Sequence, residues 1–235
     1  TNAPRPGEVV IEFIKKLGIT IDHYDEIITS GDAAQFSLAS GDFGQNIYHI
    51  GPQRDLCFFN LHKFTHDHSL INLVSISEAS SIVCTGLFND QTENPSDYQN
   101  IINLGIQNKL PLLCANPDIQ VDYGHQRLWC AGAIADNYSK AGGESVYFGK
   151  PHKPIYDLAM SKLYDIDSSI SKSEIICIGD GILTDISGGI SNNLDTLFVT
   201  GGLSSKDVGI IKESRIPNEK KLKEFLSRFK LTPTA

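Results

Sequence analysis

Two aspartates five residues apart, Asp180 and Asp185, stand in the run Gly179-Asp180-Gly181-Ile182-Leu183-Thr184-Asp185, directly behind the apolar stretch Ile175-Ile176-Cys177-Ile178. Such a stretch reads as a buried parallel strand, and the loop at its carboxyl end is where open α/β sheets bind ligands. Glycines on both sides of Asp180 let the backbone turn sharply and approach a ligand, while hard carboxylate oxygens suit Mg2+ held jointly with a phosphate. Phosphoryl transfer is the chemistry this pattern serves. The plainer alternative is a strand-to-helix turn in which Asp185 only caps a helix.

A second element is Ser145-Val146-Tyr147-Phe148-Gly149-Lys150-Pro151. Its β-prone run ends in glycine and lysine, and Pro154 then opens a helical pattern with Ile155, Leu158, Ala159 and Leu163 on one face. Lys150 therefore projects from a strand end, where its ammonium can neutralise a phosphate and the carboxylates around it; a lone surface lysine is the commoner fate of the residue type. At the amino end, Thr1 and Asn2 carry groups able to donate hydrogen bonds to a phosphate. They precede a helix with Val9, Val10, Phe13, Ile14 and Leu17 on its apolar stripe and Gly18 at its close.

Taken in this order, the pieces resemble the haloacid dehalogenase superfamily, in its subfamily IIA of phosphatases similar to NagD and p-nitrophenyl phosphatase. The resemblance runs over nearly the whole chain. It implies that Thr1 and Asn2 hold the transferring phosphoryl group. Lys150, in its Gly-Lys-Pro setting, neutralises nucleophile and phosphate, and Asp180 and Asp185 hold Mg2+ directly or through water. Ala115-Asn116-Pro117-Asp118 looks like the Asn-Pro-Asp signature of the subfamily's cap domain, which implies that Asn116 and Asp118 face the active-site entrance. A capped turn around Pro117 is the competing role for that pair. The implied fold is α/β, a Rossmann-like parallel-sheet core formed by residues 1–30 and 145–235, with an inserted α+β cap at 31–144. The implied reaction is Mg2+-dependent hydrolysis of a small phosphate monoester through an aspartyl-phosphate.

The family's first motif, an Asp-x-Asp supplying nucleophile and general acid, precedes the threonine motif and is expected upstream of Thr1. Asp165-Ile166-Asp167 has the letters but reads as a loop between an amphipathic segment and a serine-rich stretch. The upstream segment would also supply a central strand, so the chain is expected to be part of a longer polypeptide. A catalytically inactive phosphate-binding or regulatory protein on the same fold is the alternative.

Composition is that of an ordinary globular chain, and 235 residues allow one or two substantial cores. A net charge of −8 disfavours nucleic acid and anionic membrane as main partners, whereas the local field of Mg2+ and Lys150 still permits a phosphorylated metabolite. Cys57, Cys84, Cys114, Cys130 and Cys177 form no Cys-x-x-Cys pair and several lie in apolar runs, which points to a reducing, cytoplasmic setting. No apolar stretch approaches the roughly 20 residues of a membrane span.

Along the chain, a strand is expected over residues 24–28 and a helix start at Thr29-Ser30-Gly31-Asp32. Further strands are expected at 82–85, 111–115 and 196–199, and helices at 98–108 and 218–229, the last with Leu222, Phe225 and Phe229 on one face. The cap is also where a homo-oligomer would form. His62, His66, His68 and Asp67 have types that bind transition metals but lack a fixed template and read as surface or packing residues.

Overall fold

The computed structural model describes residues 1–64, 71–211 and 215–235. The chain divides into two compact units, Thr1–Gly149 and Lys150–Ala235.

The first unit contains α1 (Gly7–Lys15), α2 (Ser30–Ala39), β1 (Asn46–Ile50), β2 (Asn72–Leu73), β3 (Ser81–Cys84), α3 (Gln99–Gln107), β4 (Leu112–Cys114), β5 (Gln120–Tyr123), β6 (Gln126–Trp129), α4 (Ala131–Lys140) and β7 (Ser145–Tyr147). Five of its strands form an all-parallel sheet in the order β2-β1-β3-β4-β7, while β5 and β6 make a separate antiparallel hairpin. Every residue of β3 and β4 is buried, as central parallel strands covered on both faces require. Ile82, Leu112, Ile134 and Tyr138 anchor the core, and the Tyr138 hydroxyl is satisfied by donating to Leu110 O at 2.6 Å. The helix start at Thr29 is as expected: Thr29 Oγ1 accepts from Asp32 N at 2.8 Å, and the Asp32 carboxylate reaches back to Thr29 N at 3.1 Å.

The second unit contains α5 (Lys153–Ile166), β8 (Ile176–Gly179), a single π-helical turn at Ile182–Ile186, α6 (Ser187–Ser191), β9 (Asp195–Phe198) and α7 (Glu219–Phe229). β8 and β9 pair in parallel around the turn and α6, which is the βαβ unit read from the sequence. Phe198 and Phe225 stack at 6.0 Å in its core, so the apolar stripe of α7 is buried as its pattern predicts. The architecture is α/β with parallel sheets.

Two expectations are corrected. Residues 24–28 form no strand, because a strand needs a partner ladder and none forms there among the described residues, although Thr1 N donates to Ile28 O at 2.9 Å. Phe13 on α1 is 59% exposed and Leu17, just past its end, 65%. β8 is not a fully buried strand either, since Ile178 is 63% exposed where a two-stranded sheet leaves one face uncovered. Ser145–Tyr147 is the edge strand beside β4, within the unit that ends at Gly149.

Candidate functional site

The residues singled out for chemistry fall into two groups, one in each unit. In the second unit, β8 delivers Asp180 to the carboxyl edge of its strand, and the π-helical turn brings Asp185 back over the same loop. Asp185 Oδ2 accepts from Gly181 N at 2.9 Å, and its Oδ1 is ion-paired to Lys150. Asp180 Oδ2 accepts from Leu203 N at 3.0 Å. That bond depends on Gly202, where an added Cβ would lie 2.1 Å from the same oxygen. Lys150 and Asp185 thus pair at the sheet's ligand edge, next to the loop that carries Asp180, with the lysine 27% and Asp185 14% exposed at their side chains. Burial pushes up the Cys177 thiol behind the loop, with the Asp185 charge adding to the shift and Lys150 opposing it. Tyr156, raised well above its ordinary range by burial and further by the Cys177 and Asp185 charges, donates to Asp185 O at 3.4 Å and braces the turn from α5.

This donor set fits a hard divalent cation. Mg2+ needs only one or two protein carboxylates, taking its other ligands from water and substrate phosphate. Asp180 has one oxygen outside the Leu203 bond, and Asp185 is oriented from two sides. Among the described residues, no group of three His, Cys, Asp or Glu side chains stands close enough to hold a metal by itself.

In the first unit, Thr1-Asn2-Ala3 runs beside the segment leading into α2. Thr1 N donates to Ile28 O, and Ser30 N and Gly31 N donate to Thr1 O and Ala3 O at 2.9 and 3.0 Å. Thr1 Oγ1 accepts from Ala3 N at 3.4 Å. Asn2 turns inward to 7% exposure, and its Nδ2 donates to Asp118 Oδ1 at 2.8 Å. Asp118 follows β4 in a loop whose shape is set by Asn116, whose Oδ1 accepts from Asp118 N at 3.0 Å. The structure therefore brings Asn2, Asn116 and Asp118 together.

Sequence reasoning missed Ser30, Gly149 and Leu203. The Ser30 hydroxyl is fully buried without a hydrogen-bond partner, and Gly149 is required because a Cβ there would lie 2.6 Å from Asn2 Oδ1 and 2.8 Å from Ser30 Oγ. Only the glycines themselves, at 149 and at 201–202, were visible signals. Asp165 and Asp167 sit at the exposed carboxyl end of α5, where Asp167 Oδ1 accepts from Ser169 N at 2.9 Å; the segment is a helix end with its turn rather than a strand end. His62 shares a bond with Asn60 Oδ1 at 2.9 Å, while His66, Asp67 and His68 lie outside the described residues.

Residues 147–216 match the family described as HAD-hydrolase-like. A curated acid sugar phosphatase from Staphylococcus saprophyticus is 26% identical over 88% of this chain and 73% of its own length. Among solved structures, a haloacid dehalogenase-like hydrolase from Brucella suis superposes with a TM-score of 0.78 at 39% identity, covering 90% of this chain and 78% of that one. A p-nitrophenyl phosphatase from Archaeoglobus fulgidus shares the fold at 18% identity, with a TM-score of 0.66 over 99% of this chain and 78% of that one. At 39% identity over 90% of its length to the Brucella suis protein, the chain belongs to the haloacid dehalogenase-like family of hydrolases.

Proposed function

We propose that the protein is a phosphatase of small phosphate monoesters, working with Mg2+ through an aspartyl-phosphate. The observation that carries this reading is the Lys150–Asp185 ion pair beside Asp180 on the loop after β8. Two carboxylates and an ammonium so placed serve a dianionic phosphoryl group in transfer, and the relatives named as phosphatases support the choice.

In this proposal Thr1 and Asn2 orient the phosphoryl oxygens through the hydroxyl and backbone amide, and Lys150 neutralises charge on them. Asp180 and Asp185 hold Mg2+, which when bound supplies positive charge to the same oxygens. Asp185 also fixes the Lys150 ammonium, so that the lysine's point charge keeps one position as the phosphoryl group moves. The nucleophilic and acidic carboxylates are assigned to the segment expected upstream of Thr1. Residues 31–144 act as the cap that selects the organic part of the ester and through which copies of the protein associate. Sugar phosphates head the candidate substrates, by likeness to the staphylococcal relative. A cytoplasmic location fits the free cysteines, Cys84 and Cys114 being buried thiols raised by desolvation. No described helix is long and apolar enough to cross a membrane.

The test is turnover of p-nitrophenyl phosphate and of a panel of sugar phosphates with and without Mg2+. Asp180→Asn and Lys150→Ala should each lower kcat/KM by about two to three orders of magnitude, and Asp180→Asn should also weaken Mg2+ binding in calorimetry. Near-normal turnover in either variant would count against the assignment. A wild-type protein that binds inorganic phosphate yet turns over no ester would favour the inactive, phosphate-binding alternative.

A further inference from the structure

Asn2 is the residue of the amino-terminal segment whose side chain is committed furthest from its own position in the sequence. Its neighbours Thr1 and Ala3 are exposed and half-buried, yet Asn2 is 7% exposed and reaches across 116 residues to Asp118. Its amide is hydrogen-bonded at one end and closely packed at the other. Nδ2 donates to Asp118 Oδ1 at 2.8 Å, and Oδ1 lies over Gly149, where a Cβ would come within 2.6 Å of it and within 2.5 Å of Pro117 Cδ. Four stretches of chain therefore converge on one side chain: residues 1–3, the start of α2, the loop after β4 and the end of β7.

The chemistry of the partner matters. A carboxylate only accepts hydrogen bonds, so Asp118 dictates which end of the Asn2 amide faces it, and a charge-assisted bond holds that end about twice as firmly as a neutral one. Asp118 is itself steadied by the bond from its backbone N to Asn116 Oδ1 at 3.0 Å. The knot is not packed for stability alone. It leaves the Ser30 hydroxyl, fully buried against Gly149, with no hydrogen-bond partner. Buried polar groups left so at a loop junction mark a place where geometry is kept at the expense of stability.

We infer that Asp118 is a positioning residue that acts through Asn2: it fixes the Thr1-Asn2 segment so that the Thr1 hydroxyl and the adjacent amide are held ready for a phosphoryl group. The inference rests on the phosphatase reading and deepens it. It assigns Asp118 no contact with substrate or metal, and it gives the Asn116-Pro117-Asp118 turn the task of presenting one carboxylate oxygen to the Thr1-Asn2 segment. Holding a reacting partner to within a fraction of an ångström is worth large factors in rate, so losing the anchor is costly although nothing in the chemistry is removed.

The experiment compares Asp118→Ala, Asp118→Asn, Asn2→Ala and the double variant Asn2→Ala/Asp118→Ala. It reads kcat and KM on p-nitrophenyl phosphate, calorimetric affinity for inorganic phosphate, and Tm. Positioning predicts that Asp118→Ala loses about 10- to 100-fold in kcat/KM, and that Asp118→Asn, whose amide oxygen still accepts from Asn2, recovers most of that loss. The double variant should be no worse than the more damaged single one, because both substitutions break the same bond. Phosphate affinity should follow the same order, with Tm of Asp118→Asn close to wild type. Equal damage from Asp118→Asn and Asp118→Ala would overturn the inference by showing that the charge itself acts on substrate or metal. Losses that multiply in the double variant, or activity and phosphate affinity unchanged in Asp118→Ala, would overturn it too. A wild-type protein without turnover leaves the phosphate-affinity series to decide the positioning role, while the phosphatase reading alone falls.

Discussion

His49 shows how a single buried side chain links packing to pH. It lies on β1 with its Nε2 2.9 Å from Thr85 Oγ1 and its ring edge-on to Phe59 at 5.0 Å, and burial holds its pKa down to about 4. An unfolded histidine takes up its proton near pH 6.5, so between about 6.5 and 4 the unfolded chain binds more protons than the folded one. Stability is therefore fully present above that window and is lost as pH falls through it, by on the order of 2 to 3 kcal/mol. Asp55 is buried nearby with its pKa raised mainly by burial, which acts in the opposite sense, so the histidine's share is isolated by substitution. Denaturant midpoints of His49→Gln, measured from pH 7 to pH 4, should fall less steeply than those of wild type. Parallel curves would show that His49 titrates normally.

At the scale of elements, the ends of helices and strands carry the site, so their local chemistry sets its precision. Thr29 and Asp32 close a reciprocal cap at the start of α2, and the Asp32 carboxylate also accepts from Gly7 N at 3.1 Å, which joins α1 to α2. Removing the cap hydroxyl in Thr29→Ala should cost about 1 to 2 kcal/mol in chemical denaturation. The close approach at Gly149 makes a sharper demand. Gly149→Ala forces a Cβ into Asn2, Ser30 and Pro117, so phosphate affinity should drop along with stability. If Gly149→Ala matches wild type in both, the junction is looser than its distances state.

For the whole molecule, buried apolar clusters such as those around Ile134 and Phe225 and a net charge of −8 define how the chain behaves in solution. Ile134 is fully buried in the first unit, and Ile134→Ala should cost about 2 to 5 kcal/mol, whereas Leu17→Ala, exposed just past the end of α1, should change stability by less than about 0.5 kcal/mol. Phe13, Leu17 and Ile21 are 59%, 65% and 67% exposed, and charge repulsion is what opposes their association. Light scattering should therefore rise as pH approaches the pI of about 5.3, and Phe13→Ser with Leu17→Ser should blunt the rise.

The sequence by itself determined the parts of this protein that depend on neighbours a few residues away. Alternation, glycine placement and capping letters located β3, β4, α3, α5, β9 and α7, and the spacing of Asp180 and Asp185 put both on one loop, because a strand end followed by a tight turn leaves no other course. Tertiary structure decided what those neighbours cannot encode. Whether Ile178 or Phe13 is covered depends on which surfaces lie against them, and whether residues 24–28 become a strand depends on a partner ladder. The Lys150–Asp185 pair spans 35 residues and the Asn2–Asp118 bond 116. A motif fixes the type of a side chain and its local direction; only the packing of the sheet edges fixes which side chains meet, and at these contacts that meeting gives Asp118 a partner other than the substrate.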